Sequence, residues 1–119
     1  MTTYRHIRVE RYDPISVVVL LDSFLLDRSL IVELSDELTT FINECKPTSM
    51  LLSFLQVRRF CTEVITVLLR VRKLLLQHQG RIALCDMTDE IHEVFRIMRM
   101  DEAIFKIFPS CAAGLAAPA

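Results

Sequence analysis

The sequence predicts a single α/β domain with a mixed, mostly parallel sheet of about five strands, three helices packed on it and the order ββαβαβαβ. Three observations lead there. Two extended stretches near the N-terminus are followed by helical and extended periodicities in strict alternation. The chain has 119 residues, which suits one domain with a proper core. Its hydrophobic fraction is 52% and its mean hydropathy is +0.38, too apolar for a disordered segment.

His6-Ile7-Arg8-Val9-Glu10 alternates polar and apolar residues, as a strand with one covered face does, and is expected at a sheet edge. Asp13-Pro14 makes a turn. Ile15 to Leu21 is β-branched and almost continuously apolar, which suits a strand buried on both faces, and Asp22 ends it. From Ser29 the period lengthens: Ile31, Leu34, Leu38, Phe41 and Ile42 fall at helical spacing, and the helix stops at Lys46-Pro47. Met50 to Leu55 is a third strand.

The stretch Val57 to Leu69 is the one around which the rest is arranged, because an apolar strand there turns into a helix start. Thr62 is expected as the N-cap of a second helix running from about Glu63 to about Gln79, with Gly80 as a left-handed stop. Exposed amides and the positive end of the helix dipole also make this a favourable place for a phosphate on Thr62. Val64, Ile65, Val67, Leu68, Leu69, Val71, Leu74, Leu75 and Leu76 cover well over half of that helix. This is the pattern of the middle helix of a layer, or of a helix with an apolar docking face.

Arg81 to Cys85 is a fourth strand. Thr88 caps a third helix whose inward stripe is Ile91, Val94, Phe95 and Met98, and Ile104 to Phe108 is a last strand ended by Pro109. The domain is therefore placed at residues 1–109. Residues 110–119, Ala-rich and without pattern, are expected to be a flexible tail.

Several function classes find no support. With 14 Lys and Arg against 15 Asp and Glu there is no basic field for nucleic acid. Neither apolar run is long enough to span a bilayer, and no signal peptide is visible, so a cytoplasmic protein is expected. Cys45, Cys61, Cys85 and Cys111 lack any CxxC pairing, and His6, His78 and His92 share no ligand spacing, so neither metal nor cofactor is assigned. Two glycines cannot build a phosphate-cradling loop, and no catalytic triad can be read from the order, so no enzyme is expected.

The Leu25-Leu26-Asp27 turn, Val57 to Leu69, Gln79 to Cys85, Thr88 to Phe95 and Ile104 to Phe108, in this order and spacing, resemble the STAS domain over about Ile7 to Phe108. That family is shared by anti-sigma-factor antagonists, stressosome proteins and cytosolic tails of sulphate transporters. In the antagonist branch the strand-to-helix turn typically reads Asp-Ser-Ser-Gly, and its first serine is phosphorylated by a partner that is both kinase and anti-sigma factor. Here Cys61-Thr62-Glu63-Val64 stands in its place. Thr62 keeps a hydroxyl, while Cys61 replaces an acid, Glu63 adds a charge and Val64 replaces glycine.

The resemblance implies a non-enzymatic regulatory module that docks a protein partner of the anti-sigma or serine/threonine kinase type, with Thr62 as phosphoacceptor. Asp27, Arg58, Arg59, Cys61, Glu63 and Thr66 are the partner-binding candidates. Asp27 either frames the partner surface or caps the first helix. Arg58 and Arg59 either meet an acidic partner or form a solvated loop pair. Self-association is an additional expectation. The alternative is a small-ligand or lipid-handling accessory domain of a transport system, with an apolar cavity beneath Leu69 and Leu76.

Overall fold

The computed structural model describes residues 3–117. Strand β1 (Ile7–Tyr12) pairs antiparallel with β2 (Ile15–Leu20), whose last five residues are buried, as continuous β-branched sequence requires. After helix α1 (Arg28–Cys45), strand β4 (Ser49–Ser53) adds parallel to β2. Helix α2 (Thr62–Gln77) crosses to β6 (Arg81–Cys85), and α3 (Asp89–Ile97) leads to β7 (Lys106–Phe108), each strand again parallel to the one before. The sheet order is β1-β2-β4-β6-β7, so β1 is an edge, as its alternation predicts.

The sheet has two faces of unequal character. Val18, Leu20, Met50, Leu52 and Leu84 point to a core shared with α1, α2 and α3, where Leu34, Leu38, Phe41, Val64, Leu68 and Phe95 are buried. Each such side chain, fully withdrawn from water, contributes about 1.5–3 kcal/mol. The wide apolar surface of α2 is consumed by this core for the most part. Val64, Ile65, Val67, Leu68, Val71 and Leu75 are buried and Leu69 packs against them, whereas Leu76 is 52% exposed.

The structure corrects several expectations. The N-cap of α2 is Cys61, in extended backbone, and Thr62 is the first helical residue. The left-handed residue after α2 is Gln79 (φ 61°), not Gly80. Gly80 is instead required by crowding, because a Cβ there would lie 2.7 Å from the Pro47 carbonyl oxygen. The third strand ends at Ser53, after which the Phe54 amide donates to the Cys85 carbonyl and the chain turns, leaving Leu55 exposed. The last strand begins only at Lys106, because Phe105 turns inward to pack edge-on against Phe95 at 6.0 Å.

Three elements have no counterpart in the predicted order. Phe24–Leu25 (β3) and Arg59–Phe60 (β5) pair in parallel as a separate two-stranded ribbon. Residues 111–116, expected to lack pattern, form helix α4 (Cys111–Ala116), with the Ser110 hydroxyl accepting from the Ala113 amide as its cap. Alanine favours helix, and Gly114 lets α4 approach the sheet until a Cβ would stand 2.7 Å from Leu51 Cδ2. Among the described residues no helix is long and apolar enough to cross a membrane.

Candidate functional site

The parallel strands share a C-terminal end, and the chain leaves the sheet there through the β3–β5 ribbon before entering α2. Backbone bonds tie this exit down. Arg58 and Arg59 amides donate to the Ser23 carbonyl at 2.8 and 3.2 Å, and the Cys61 amide donates to the Leu25 carbonyl at 3.1 Å. Beneath the ribbon the Phe60 ring stacks on Phe95 at 5.9 Å, and Phe54 meets both edge-on at 6.4 Å. Alternating hydrophobicity does not reveal a two-residue strand. The aromatic residues at positions 54, 60 and 95 are the signal that could have found it.

On this support the predicted residues lie about the start of α2, in two grooves beside it and at the cap of α1. Thr62 and Glu63 are exposed at the start of α2, and the Cys61 side chain makes no capping bond, so the first-turn amides are left without a side-chain acceptor at that position. Cys61 itself is half-buried against the core. Arg58 and Arg59 are exposed and line a groove of about 290 Å³ with Leu26, Phe60 and Glu90 of α3. Glu63 and Thr66 line a second groove of about 360 Å³ between α2 and α1, with Arg28, Asp36 and Arg70.

Asp27 caps α1: its Oδ1 accepts from both the amide and the hydroxyl of Ser29 at 2.9 Å. That capping role was one of its two sequence readings. The side chain is also exposed, between Leu26 of the first groove and Arg28 of the second. The ribbon therefore places all seven residues at one end of the molecule, on two sides of the α2 start.

Sequence reasoning missed an apolar rim at the same end. Phe24 is 55% exposed, Leu26 52% and Leu55 70%. Large side chains left in water at the tip of a ribbon are a feature of interaction surfaces. Their sequence context, single apolar residues beside turns, carries no periodicity.

A second polar cluster lies under α4. Asp86, left-handed at φ 63°, accepts from the Ser53 hydroxyl (2.9 Å), the Cys85 thiol (3.4 Å) and the Cys111 amide (3.1 Å). Burial, then the Asp86 charge, push the Cys85 thiol far up and raise that of Cys111. Both thiols are thus protonated at neutral pH, which suits structural cysteines and not nucleophiles.

The STAS domain sequence model matches residues 6–114. No curated protein sequence matches the chain. Among solved structures, a STAS domain protein from Planctomyces limnophilus superposes with a TM-score of 0.79 at 20% identity, covering 92% of this chain and 93% of that one. An anti-sigma factor antagonist from Mycobacterium paratuberculosis gives 0.77 at 16% identity, covering 92% and 89%. The Bacillus cell fate determinant SpoIIAA in its phosphorylated form gives 0.64 at 15% identity, covering 87% and 91%. At these identities the likenesses establish the fold.

Proposed function

The chain belongs to the STAS domain family, and from that premise we propose that it is a non-enzymatic regulatory module that docks a protein partner of the anti-sigma or kinase type through the end at Thr62. Phosphorylation of Thr62 is its switch. The observation that carries this reading is the exposed Thr62 hydroxyl at the first position of α2, beside the apolar rim of Phe24, Leu26 and Leu55.

The rim offers area that a partner can desolvate. The two grooves offer charge: Arg58, Arg59 and Glu90 on one side, and Glu63, Asp36, Arg28 and Arg70 on the other. In the modification, the γ-phosphoryl group of a nucleoside triphosphate passes to the Thr62 hydroxyl, whose proton is released, and the nucleoside diphosphate leaves. About two negative charges are added, stabilised in the free protein by the first-turn amides and the helix dipole. When a partner covers that point, the same charges must be desolvated beside Glu63, so docking weakens. SpoIIAA, whose fold this chain shares, has been observed in a phosphorylated form.

The test is quantitative capture from the native lysate by the wild-type chain, Thr62→Val and Thr62→Glu, with mass-spectrometric mapping of phosphate on the recovered wild type. A partner held by the first two and lost by the third, with phosphate on Thr62, is expected. Equal capture by all three would leave a constitutive scaffold and remove the switch.

A further inference from the structure

The sheet face turned away from α1, α2 and α3 is only partly covered by the six residues of α4. Val17, Val19, Leu51 and Cys85 form a buried cluster there with Cys111 and Leu115. Asp86 anchors the start of α4 at the C-terminal end of the strands, and Gly114 brings its middle down on Leu51. Toward the N-terminal ends of the strands the cover gives way to a cleft of about 500 Å³. Leu51, Ala83 and Phe108 form its floor and Leu115 lines it from the helix side.

The charges at the rim are of one sign. Arg81 and Lys106, the first residues of β6 and β7, line the cleft and are exposed, and the Lys106 Nζ stands 5.7 Å from the centre of the Phe108 ring. Among the described residues no carboxylate lines it. Glu10, opposite Val17 on this sheet face, is held by Arg8 at 3.0 Å and by the Tyr12 hydroxyl at 3.3 Å.

We propose that this cleft binds a single unbranched acyl chain bearing a free carboxylate, a fatty acid. The volume falls in the range of small-ligand sites. The apolar floor takes the chain out of water, and the guanidinium fork of Arg81 with the Lys106 ammonium receives the carboxylate. The site lies on the opposite sheet face and at the opposite strand end from Thr62, so it stands or falls separately from the partner surface. It is also distinct from the space beneath Leu69 and Leu76, which the sequence singled out for a ligand.

The experiment titrates the isotope-labelled full chain with octanoate, decanoate and dodecanoate below their micelle concentrations, with dodecanol and with phosphatidylglycerol vesicles. Amide shifts are followed by NMR and affinities by calorimetry. Affinity should rise with chain length, by up to about fourfold for each methylene buried. Shifts should centre on Leu51, Ala83, Phe108 and Leu115. Dodecanol should bind at least tenfold more weakly than dodecanoate, and the pair Arg81→Gln, Lys106→Gln should erase that difference without changing dodecanol. Ala83→Leu should abolish binding by filling the floor. Should that variant fail to fold, the wild-type shift map and the charge pair decide. Shifts centred on α1 and α2, affinity independent of chain length, equal binding of alcohol and acid, or binding to vesicles alone would each overturn the proposal.

Discussion

Replacing His6 with glutamine should destabilise the protein by an amount that shrinks as pH rises. His6 is 7% exposed and joins three elements. Its Nδ1 lies 2.8 Å from Asp22 Oδ2 at the end of β2, and its Nε2 lies 3.3 Å from Glu33 Oε2 on α1. Its backbone amide donates to Glu37 at 2.9 Å. Burial alone would lower the imidazole pKa, but the bonds to Asp22 and Glu33 and the charges of Asp22 and Glu37 outweigh it, and the pKa is raised above 6.5. The folded protein therefore holds a proton that the unfolded chain has begun to release. That contribution is fully present below about pH 6.5 and is lost as pH rises through the folded value. The bond to Asp22, whose side chain is 26% exposed, is charge-assisted and worth about 1.5–3 kcal/mol. The bond to half-exposed Glu33 adds at most about 1 kcal/mol. Urea unfolding of wild type and His6→Gln should thus differ by about 2–3 kcal/mol at pH 6 and by at least about 1 kcal/mol less at pH 9. A gap that stays constant or widens with pH would show that imidazolium pairing is not what joins β1 to α1.

Other substitutions probe the remaining supports. Thr62→Val and Thr62→Glu should each leave stability within about 0.5 kcal/mol of wild type, since the side chain is exposed and Cys61 provides the cap position; thermal melts check this, and a large loss would spoil their use as docking probes. Asp86→Ala strands the Ser53 hydroxyl and the Cys111 amide, and should cost about 2–3 kcal/mol in urea unfolding while speeding hydrogen exchange in α4. Gly80→Ala drives a Cβ against the Pro47 backbone and should lower stability by about 1–3 kcal/mol, although alanine would ordinarily restrict the unfolded chain favourably.

Periodicity made most of the architecture legible. Alternation in Ile7 to Glu10 identified an edge strand, the unbroken apolar run at Ile15 identified a central one, and the alternation of helices and strands after it implied parallel pairing. Those patterns are local, because burial of one face or two is written into neighbouring residues. The family followed from their order together with the residues around Thr62, and the seven candidate residues do lie at one end of the fold. Tertiary structure alone decided how they are arranged there. The β3–β5 ribbon depends on two residues meeting two others about 35 positions away and on a stack of Phe54, Phe60 and Phe95 that no periodicity encodes. Cys61 rather than Thr62 became the cap because the Cys61 amide is bonded to Leu25, which holds that residue in extended backbone. The final helix, and with it the cationic cleft, depends on Asp86 satisfying a hydroxyl and an amide from segments distant in sequence, and on Gly114 closing onto Leu51. Contacts of this kind are energies between remote groups, and one linear pattern is compatible with many of them.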